Sequence, residues 1–258
     1  MRKLFIIGIG AGNPEHVTIQ AIRAMNTVDV FFFLNKSEEK DSLVQLRREI
    51  CDRYIDLKTY RTVELTDPER DPAITPYTTR VEAWHGQRAI LYEEFLSREL
   101  GEDGIGAILV WGDPGLYDST LRIIDRIRER NRVAFDYEVI PGITSVQALA
   151  AAHRIVLHEI GEPVTITTGR NLAANGLPPD APNTVVMLDA NNSFKNLPDQ
   201  DTFIYWGAYL GTENEILLSG RLRDVAETIE RTRNQAREAN GWIMDIYLLA
   251  RQGANALA

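Results

Sequence analysis

The sequence has one cysteine, Cys51, among its 258 residues. A single thiol cannot form an intramolecular disulfide, so the cysteine content gives no sign of an oxidising compartment, and we expect a cytoplasmic protein. No apolar run approaches the roughly 18 residues of a membrane helix. The apolar run over 4–9 is too short for the core of an export signal. We therefore expect no membrane anchor.

Positive charge is also scarce. The 28 Lys and Arg residues are outnumbered by 37 Asp and Glu residues, for a net charge of −9. This balance argues against a protein whose main task is to bind nucleic acid. A small anionic ligand stays open, because a local basic trough can lie within an acidic surface. Repeats, low-complexity tracts and Gly/Ser linkers are absent, and the composition is that of an ordinary globular protein.

Short apolar runs alternate with helical patterns through the first half. We predict strands over 4–9, 28–34, 61–65 and 105–111, with helices over 18–26, 41–53 and 79–100. The near-continuous apolar run over 105–111 is typical of a parallel sheet that is covered on both faces. The first half therefore predicts an α/β domain with a mostly parallel sheet.

The second half places several strands in succession without a helix between them. We predict helices over 119–130, 145–153 and 223–240, and strands over 135–140, 164–168, 184–188, 202–208, 216–220 and 242–250. Such succession favours a mixed sheet. We expect two α/β domains, residues 1–116 and 117–258, joined within 113–119.

Three glycines, Gly8, Gly10 and Gly12, lie between the first strand and the first helix. A dinucleotide-binding loop would need glycine at position 13, where the chain has Asn13, and an acidic residue after the next strand. A nicotinamide-dependent oxidoreductase is therefore disfavoured. A compact strand-to-helix turn is another explanation of the three glycines.

Two further turns follow predicted strands: Gly112-Asp113-Pro114-Gly115 and Pro141-Gly142-Ile143-Thr144-Ser145. Open α/β sheets bind ligands beyond the carboxyl ends of their strands, so these turns can line one crevice. Taken singly, the first is a common β-turn composition and the second a simple helix cap.

These turns, with Thr168-Gly169-Arg170 and the strand before Asp189, occur in the order found in tetrapyrrole methylases, and the chain resembles that family over nearly its whole length. Residues 31–36, 84–85, 111–117 and 239–247 resemble the members that also release acetate. The resemblance implies two α/β domains with S-adenosylmethionine (SAM) in the cleft between them, and a homodimer. It further implies a C-methyltransferase of corrin biosynthesis that methylates precorrin-5 at ring carbon C-1, with S-adenosylhomocysteine and acetate as products.

Site residues follow from the same resemblance, position by position. Those implied for SAM are Ala11, Trp111, Gly112, Asp113, Leu116, Thr144, Ser145, Leu188, Asp189, Ala208, Tyr209 and Leu210. Those expected to contact the tetrapyrrole are Gly10, Gly12, Lys36, Arg88 and Arg170. The arginines and the lysine are chosen because a macrocycle with many carboxylates requires cationic partners.

Acetate release requires water to reach an acyl carbon, so a general base is expected. His85 and Tyr117 are the candidates, although a buried structural role would explain each of them as well. Asp113 is assigned a shaping role, because a turn aspartate usually accepts bonds from its own backbone. The other histidines lack metal-ligand spacing, and no metal is expected.

Four alternatives remain open at this stage. Another precorrin C-methyltransferase would share the fold, as would a diphthamide or ribosomal RNA methylase, although the acidic balance disfavours an RNA reader. A nicotinamide-dependent oxidoreductase and a non-catalytic SAM- or tetrapyrrole-binding protein belong to other classes.

Overall fold

A computed structural model describes residues 1–35, 41–57 and 59–250, without the side chains of residues 35 and 41–44. The chain divides into two compact units. Unit 1 contains Met1–Gly10 and Pro14–Thr144, and unit 2 contains Ala11–Asn13 and the chain from Ser145 onward.

Unit 1 is a five-stranded parallel sheet with helices on both faces. Its strands are β1 (Arg2–Gly8), β2 (Val30–Asn35), β3 (Arg61–Thr66), β4 (Ile105–Val110) and β5 (Phe135–Ile140). Their order is β3-β2-β4-β1-β5, and every pairing is parallel. The helices are α1 (Ile19–Met25), α2 (Asp41–Tyr54), α3 (Tyr77–Glu99) and α4 (Thr120–Arg130). The predicted mostly parallel α/β architecture is confirmed.

Strand alternation distributes the core of unit 1 between two layers. In β1, Phe5 and Ile7 pack in the layer that contains α1 and α2. Leu4 and Ile6 point the other way, into the layer of α3 and α4. The helices that follow β1 and β4 thus lie on opposite faces of these adjacent strands, which is the topological switch point where open α/β sheets bind ligands.

Unit 2 is a mixed sheet in the order β6-β7-β10-β8-β9. Its strands are β6 (Val164–Thr168), β7 (Asn183–Met187), β8 (Phe203–Ala208), β9 (Ile216–Arg221) and β10 (Asp245–Ala250). Among the strands of unit 2 that the structure describes, β6 and β7 alone pair in parallel, whereas β10 is antiparallel to both of its neighbours. Its helices are α5 (Ser145–His153), α6 (Gly169–Asn175) and α7 (Leu222–Asn240). The predicted mixed sheet is confirmed.

Three details differ from the expectation. The chain divides after Thr144 rather than between 116 and 117, because β5 pairs with β1 and keeps α4 in the first sheet. The last strand begins at Asp245 rather than at 242. Helix α6 was not predicted, because its seven residues are too few for a clear apolar period.

Candidate active site

The three turns that the sequence singled out meet within unit 1, at the carboxyl ends of β1, β4 and β5. A Cβ built on Gly8 would lie 2.5 Å from the amide nitrogen of Gly142 and 2.8 Å from the carbonyl oxygen of Gly112. A Cβ on Gly142 would lie 2.1 Å from that same oxygen. The backbones approach so closely that Gly8 and Gly142 leave no room for a larger side chain.

Hydrogen bonds join the same turns. Gly112 N donates to the carbonyl oxygen of Gly10 at 2.8 Å, and Gly10 N donates back to Gly112 at 3.3 Å. The carboxylate of Asp113 accepts from Gly115 N at 2.7 Å through Oδ1 and from Gly142 N at 2.9 Å through Oδ2. Asp113 therefore ties the second turn to the third, which agrees with the shaping role expected for it.

The turn at Gly112 is less crowded than those at Gly8 and Gly142. Gly112 has φ +69°, and the nearest atom to a Cβ built on it is the Cα of Thr144 at 3.9 Å. Among the described residues, a Cβ there would therefore make only an ordinary van der Waals contact. Gly112, Asp113 and Thr144, which the resemblance assigns to SAM, are brought together here, and Trp111 and Leu116 flank them along the chain.

Tyr117 follows this turn with a left-handed backbone, φ +51°, and is 46% exposed. A non-glycine residue in this conformation is unfavourable, and such residues concentrate at functional sites. The structure therefore places the phenol at the surface just beyond the Gly112–Gly115 turn, where a role in proton transfer remains a prediction.

His85 lies elsewhere in unit 1, in a cavity of about 530 Å³ between α3 and α4. The imidazole is buried against Trp84, with ring centroids 5.4 Å apart. Burial lowers the pKa of His85, and the positive charges of Arg126, Arg88, Arg122 and Arg70 lower it further. The ring is thus neutral near pH 7 and able to accept a proton.

The charges around this cavity are arranged by depth. His85 is buried, Arg126 is half-buried, and the carboxyl-bearing residues Glu82, Asp125 and Glu129 are exposed at the rim. Sequence reasoning missed Arg122 and Arg126, because on a helix they have the pattern of solvated surface residues.

Arg88 is held inside unit 1 rather than presented to a substrate. Its Nε donates to Asp67 Oδ1 at 2.7 Å and its Nη2 donates to Asp67 Oδ2, in a pair that is 5% and 10% exposed. The guanidinium also stacks on Trp84, 3.7 Å from the ring centroid. Because the N–H groups of the guanidinium bind Asp67 and its plane stacks on Trp84, Arg88 is better explained as a structural residue than as the predicted partner of a substrate carboxylate.

We expect Arg88→Lys to lower the free energy of unfolding by about 2 kcal/mol, because lysine loses the bidentate contact with Asp67 and the planar stacking on Trp84. Urea denaturation measures this loss. The KM for the expected substrate should stay unchanged, and a large rise in that KM with unaltered stability would restore Arg88 to the expected substrate site.

The remaining residues expected to contact the substrate differ in their surroundings. A Cβ on Gly10 would lie 2.4 Å from the Cβ of His16, and one on Gly12 would lie 2.3 Å from the carbonyl oxygen of Leu210, so both glycines allow close packing within their own units. Arg170 is exposed at the start of α6, where a carboxylate can reach it. Lys36 lies outside the described residues.

In unit 2, the residues predicted to contact the cofactor differ in how much of each is exposed to solvent. Leu188 is 66% exposed, whereas Asp189 is 6% exposed. Ala208, Tyr209 and Leu210 are all buried, and the Tyr209 hydroxyl donates to the main chain of α7 and of Trp242. Of these five side chains, Leu188 alone is exposed, while Ala11 and Ser145 are buried and half-buried.

Membrane helices and metal-binding clusters were sought in residues 1–35, 41–57 and 59–250. No helix in these ranges combines the length and the apolar character needed to span a bilayer. Within the same ranges, no cluster of three or more His, Cys, Asp or Glu residues has an arrangement that could bind a metal ion.

The family model of tetrapyrrole (corrin/porphyrin) methylases matches residues 3–226. The chain belongs to this family. It is 54% identical over 255 residues to a precorrin-6A synthase [deacetylating] of Sinorhizobium sp, a match that covers 99% of this chain and 97% of the relative. A precorrin-2 C(20)-methyltransferase of Sinorhizobium sp is 27% identical over 145 residues, covering 56% of this chain and 55% of the relative.

Solved structures share the fold. A cobalamin synthesis related protein (CobF) from Corynebacterium diphtheriae superposes with a TM-score of 0.84 at 39% identity, over 97% of this chain and 99% of that chain. A uroporphyrin-III C-methyl transferase from Thermus thermophilus, complexed with S-adenyl homocysteine, gives a TM-score of 0.60 at 16% identity, over 96% and 92% of the two chains. The second likeness concerns the fold alone.

Proposed function

We propose that this methylase transfers a methyl group from SAM to C-1 of precorrin-5 and releases acetate, giving precorrin-6A. The observation that carries the proposal is the 54% identity to a precorrin-6A synthase [deacetylating] across 99% of the chain. Family membership supports the use of SAM.

The glycine turns serve methyl transfer through alignment. SAM, when bound, supplies an activated methyl group, so the protein must chiefly hold donor and acceptor in line, with reacting atoms roughly 3–3.5 Å apart. Gly112 has no side chain, and a Cβ there would meet only the Cα of Thr144 at 3.9 Å, which favours approach of a ligand to the backbone. The hydrogen bonds of Asp113 hold the second and third turns in register, and we propose that these two turns bind the cofactor.

Acetate release needs a proton acceptor in addition. We propose that the neutral imidazole of His85, in the α3–α4 cavity, is this proton acceptor. We propose further that Tyr117, which follows the Gly112–Gly115 turn, assists the proton transfer. Exposed Arg170 is proposed to pair with a carboxylate of the macrocycle.

Incubation with precorrin-5 and SAM tests the proposal. We expect a product that has gained one methyl group and lost one acetyl group, and is therefore lighter than precorrin-5, together with one acetate, formed by uptake of water, for each S-adenosylhomocysteine. Methylation without acetate would instead indicate a C-methyltransferase that acts at another ring carbon. Binding of both ligands without turnover would indicate a non-catalytic protein, and either result would overturn the proposal.

His85→Ala should lower the rate of acetate release by about 100-fold, which is typical for the loss of a general acid–base group, and leave the affinity for S-adenosylhomocysteine unchanged. In the parent protein the rate should fall as pH drops through the lowered pKa of His85, because the protonated ring cannot accept a proton. Acetate quantification over a pH series measures both effects. Glu82→Gln, at the rim of the same cavity, is the matched control, and full acetate release by His85→Ala would remove His85 from the mechanism.

We also propose that the protein is a cytoplasmic homodimer. Light scattering of the purified protein tests the dimer, and a monomeric mass at working concentration would contradict it.

A further inference from the structure

The cavity between α3 and α4 brings a buried imidazole together with two guanidinium groups. Its volume of about 530 Å³ lies in the range of small-molecule sites, and all of its lining residues belong to these two helices of unit 1. His85, on α3, is 7% exposed. Arg122 and Arg126 line the cavity from one face of α4, because residues four apart are neighbours on a helix surface. The cavity therefore has a titratable group on one helix and positive charge on the other.

The two arginines of α4 have no neutralising partner within residues 1–35, 41–57 and 59–250. In that part of the chain, neither guanidinium forms an ion pair or a hydrogen bond with a carboxylate. Like charges four residues apart on a helix repel each other and destabilise it. Arg130, on the same helix, does have a carboxylate partner, since its Nε donates to Glu93 Oε2 at 2.8 Å. Arg122 and Arg126 are thus an uncompensated concentration of positive charge.

The electrostatic effect of this charge is felt at His85. Burial is the largest cause that lowers the pKa of the imidazole, and four arginines lower it further: Arg126, Arg88, Arg122 and Arg70. Of these four, Arg88 pairs with Asp67, and the other three have no carboxylate partner among the described residues. A positive potential that disfavours the imidazolium favours an anion at the same position. The inner part of the cavity is therefore suited to an anion.

The acidic rim of the cavity limits the charge of that anion. Glu82, Asp125 and Glu129 are exposed around the opening. Their carboxylates repel a doubly charged phosphate more strongly than a singly charged ion, because the Coulomb energy scales with the charge. Tyr77 and Val81 add apolar surface from α3. A small monocarboxylate, which has one charge and a short apolar end, fits both features.

We propose that the α3–α4 cavity binds a small monocarboxylate, with Arg126 paired to the carboxylate and His85 donating an N–H group to it. The inference deepens the proposed function and rests on it for the source of the ligand, which is the acetate that the reaction releases. A carboxylate beside His85 stabilises the imidazolium, so the acetate and a proton on His85 bind cooperatively. The cavity would thus hold the product next to the group that accepted the proton.

Imidazole NMR on the full chain tests the proposal, with the His85 signal identified by its loss in His85→Gln. The pKa of His85 is measured in sodium acetate and in sodium chloride of the same ionic strength. Acetate should raise this pKa, and the rise should saturate with acetate concentration. The other charged or titratable groups that face the imidazole are Arg70, Tyr77, Glu82, Arg88, Arg122, Asp125, Arg126 and Glu129. Because these groups are present in both salt series, the difference between the series reports the bound acetate.

Arg126→Met should weaken acetate binding about tenfold, because it removes the charge-assisted hydrogen bonds to the carboxylate. Arg126→Lys keeps the charge but loses the planar fork, so its affinity should lie between those of the parent and Arg126→Met. Arg128→Met is the matched control. Arg128 is exposed on the same helix, lies 5.4 Å from the Tyr137 ring centroid and does not line the cavity, so its loss should leave acetate affinity unchanged. Thermal denaturation verifies that each variant is folded.

An equal pKa of His85 in acetate and in chloride would overturn the proposal, as would parental acetate affinity in Arg126→Met. Tighter binding of inorganic phosphate than of acetate would overturn the assignment to a monocarboxylate. If the parent protein binds acetate here but forms none from precorrin-5 and SAM, the proposed function fails and the acetate site stands. If it forms acetate but does not bind it, the site is wrong and the proposed function stands.

Discussion

Gly142→Ala should lower the free energy of unfolding by about 3 kcal/mol and abolish measurable SAM binding. The new Cβ would lie 2.1 Å from the carbonyl oxygen of Gly112 and 2.7 Å from the carbonyl carbon of Gly8. These are backbone atoms at the ends of two neighbouring strands, so they cannot move aside as a flexible side chain could. Relief requires that β5 or the Gly112 turn shift, which disturbs the expected cofactor site as well as the core.

Urea denaturation and calorimetry measure the two effects. Gly86→Ala is the control, because Gly86 lies inside α3 with no atom within 4 Å of a built Cβ. There the same substitution should stabilise the protein by about 0.5–1 kcal/mol through helix propensity. A Gly142→Ala protein with parental stability and SAM affinity would contradict the close approach of the three turns.

Arg233→Met should destabilise the protein by about 3–5 kcal/mol, because it leaves the carboxylate of Asp245 buried without its partner. The pair is 6% and 7% exposed, so water cannot replace the guanidinium. Arg223→Met is the matched control on the same helix. Arg223 pairs with Asp201, both side chains being more than half exposed, and its loss should cost at most about 1 kcal/mol.

The pH dependence of this variant identifies the cause. Burial already raises the pKa of Asp245 above its ordinary 3.8, and loss of Arg233 raises it further. The folded state then binds the proton more tightly than the unfolded state does. The free energy of unfolding therefore falls as pH rises from the ordinary pKa of Asp245 to its raised pKa in the folded state. The deficit of Arg233→Met should therefore be smaller at pH 5 than at pH 8 in thermal denaturation, and an equal deficit at both pH values would point to lost packing instead.

Elements with a clear apolar period could be predicted from the chain alone. The strand over 105–111 and the helix over 145–153 correspond to β4 and α5, and the stop after Asn240 occurs at Gly241 with φ +73°. The domain boundary could not be predicted, because β5 pairs with β1 and no local pattern records a pairing between strands so far apart.

The candidate site was predicted unevenly for a similar reason. Gly112, Asp113 and Gly142 follow strands of one parallel sheet, so their carboxyl ends had to share an edge. Arg88 was expected to pair with a substrate carboxylate and Asp189 to border the cofactor, whereas their side chains are satisfied inside the protein by Asp67 and Tyr247. Whether a charged side chain faces a ligand or a buried partner depends on residues distant in sequence.

The amino-acid order by itself determined the strands, every helix except α6, the glycine turns and the family, since each of these depends on local periodicity or on short motifs in a set order. The tertiary structure alone decided which charges are buried, that Leu188 is exposed, and that Arg233 pairs with Asp245. The physical reason is that burial and ion pairing are properties of contacts between distant segments, and those contacts exist only after the sheets have assembled.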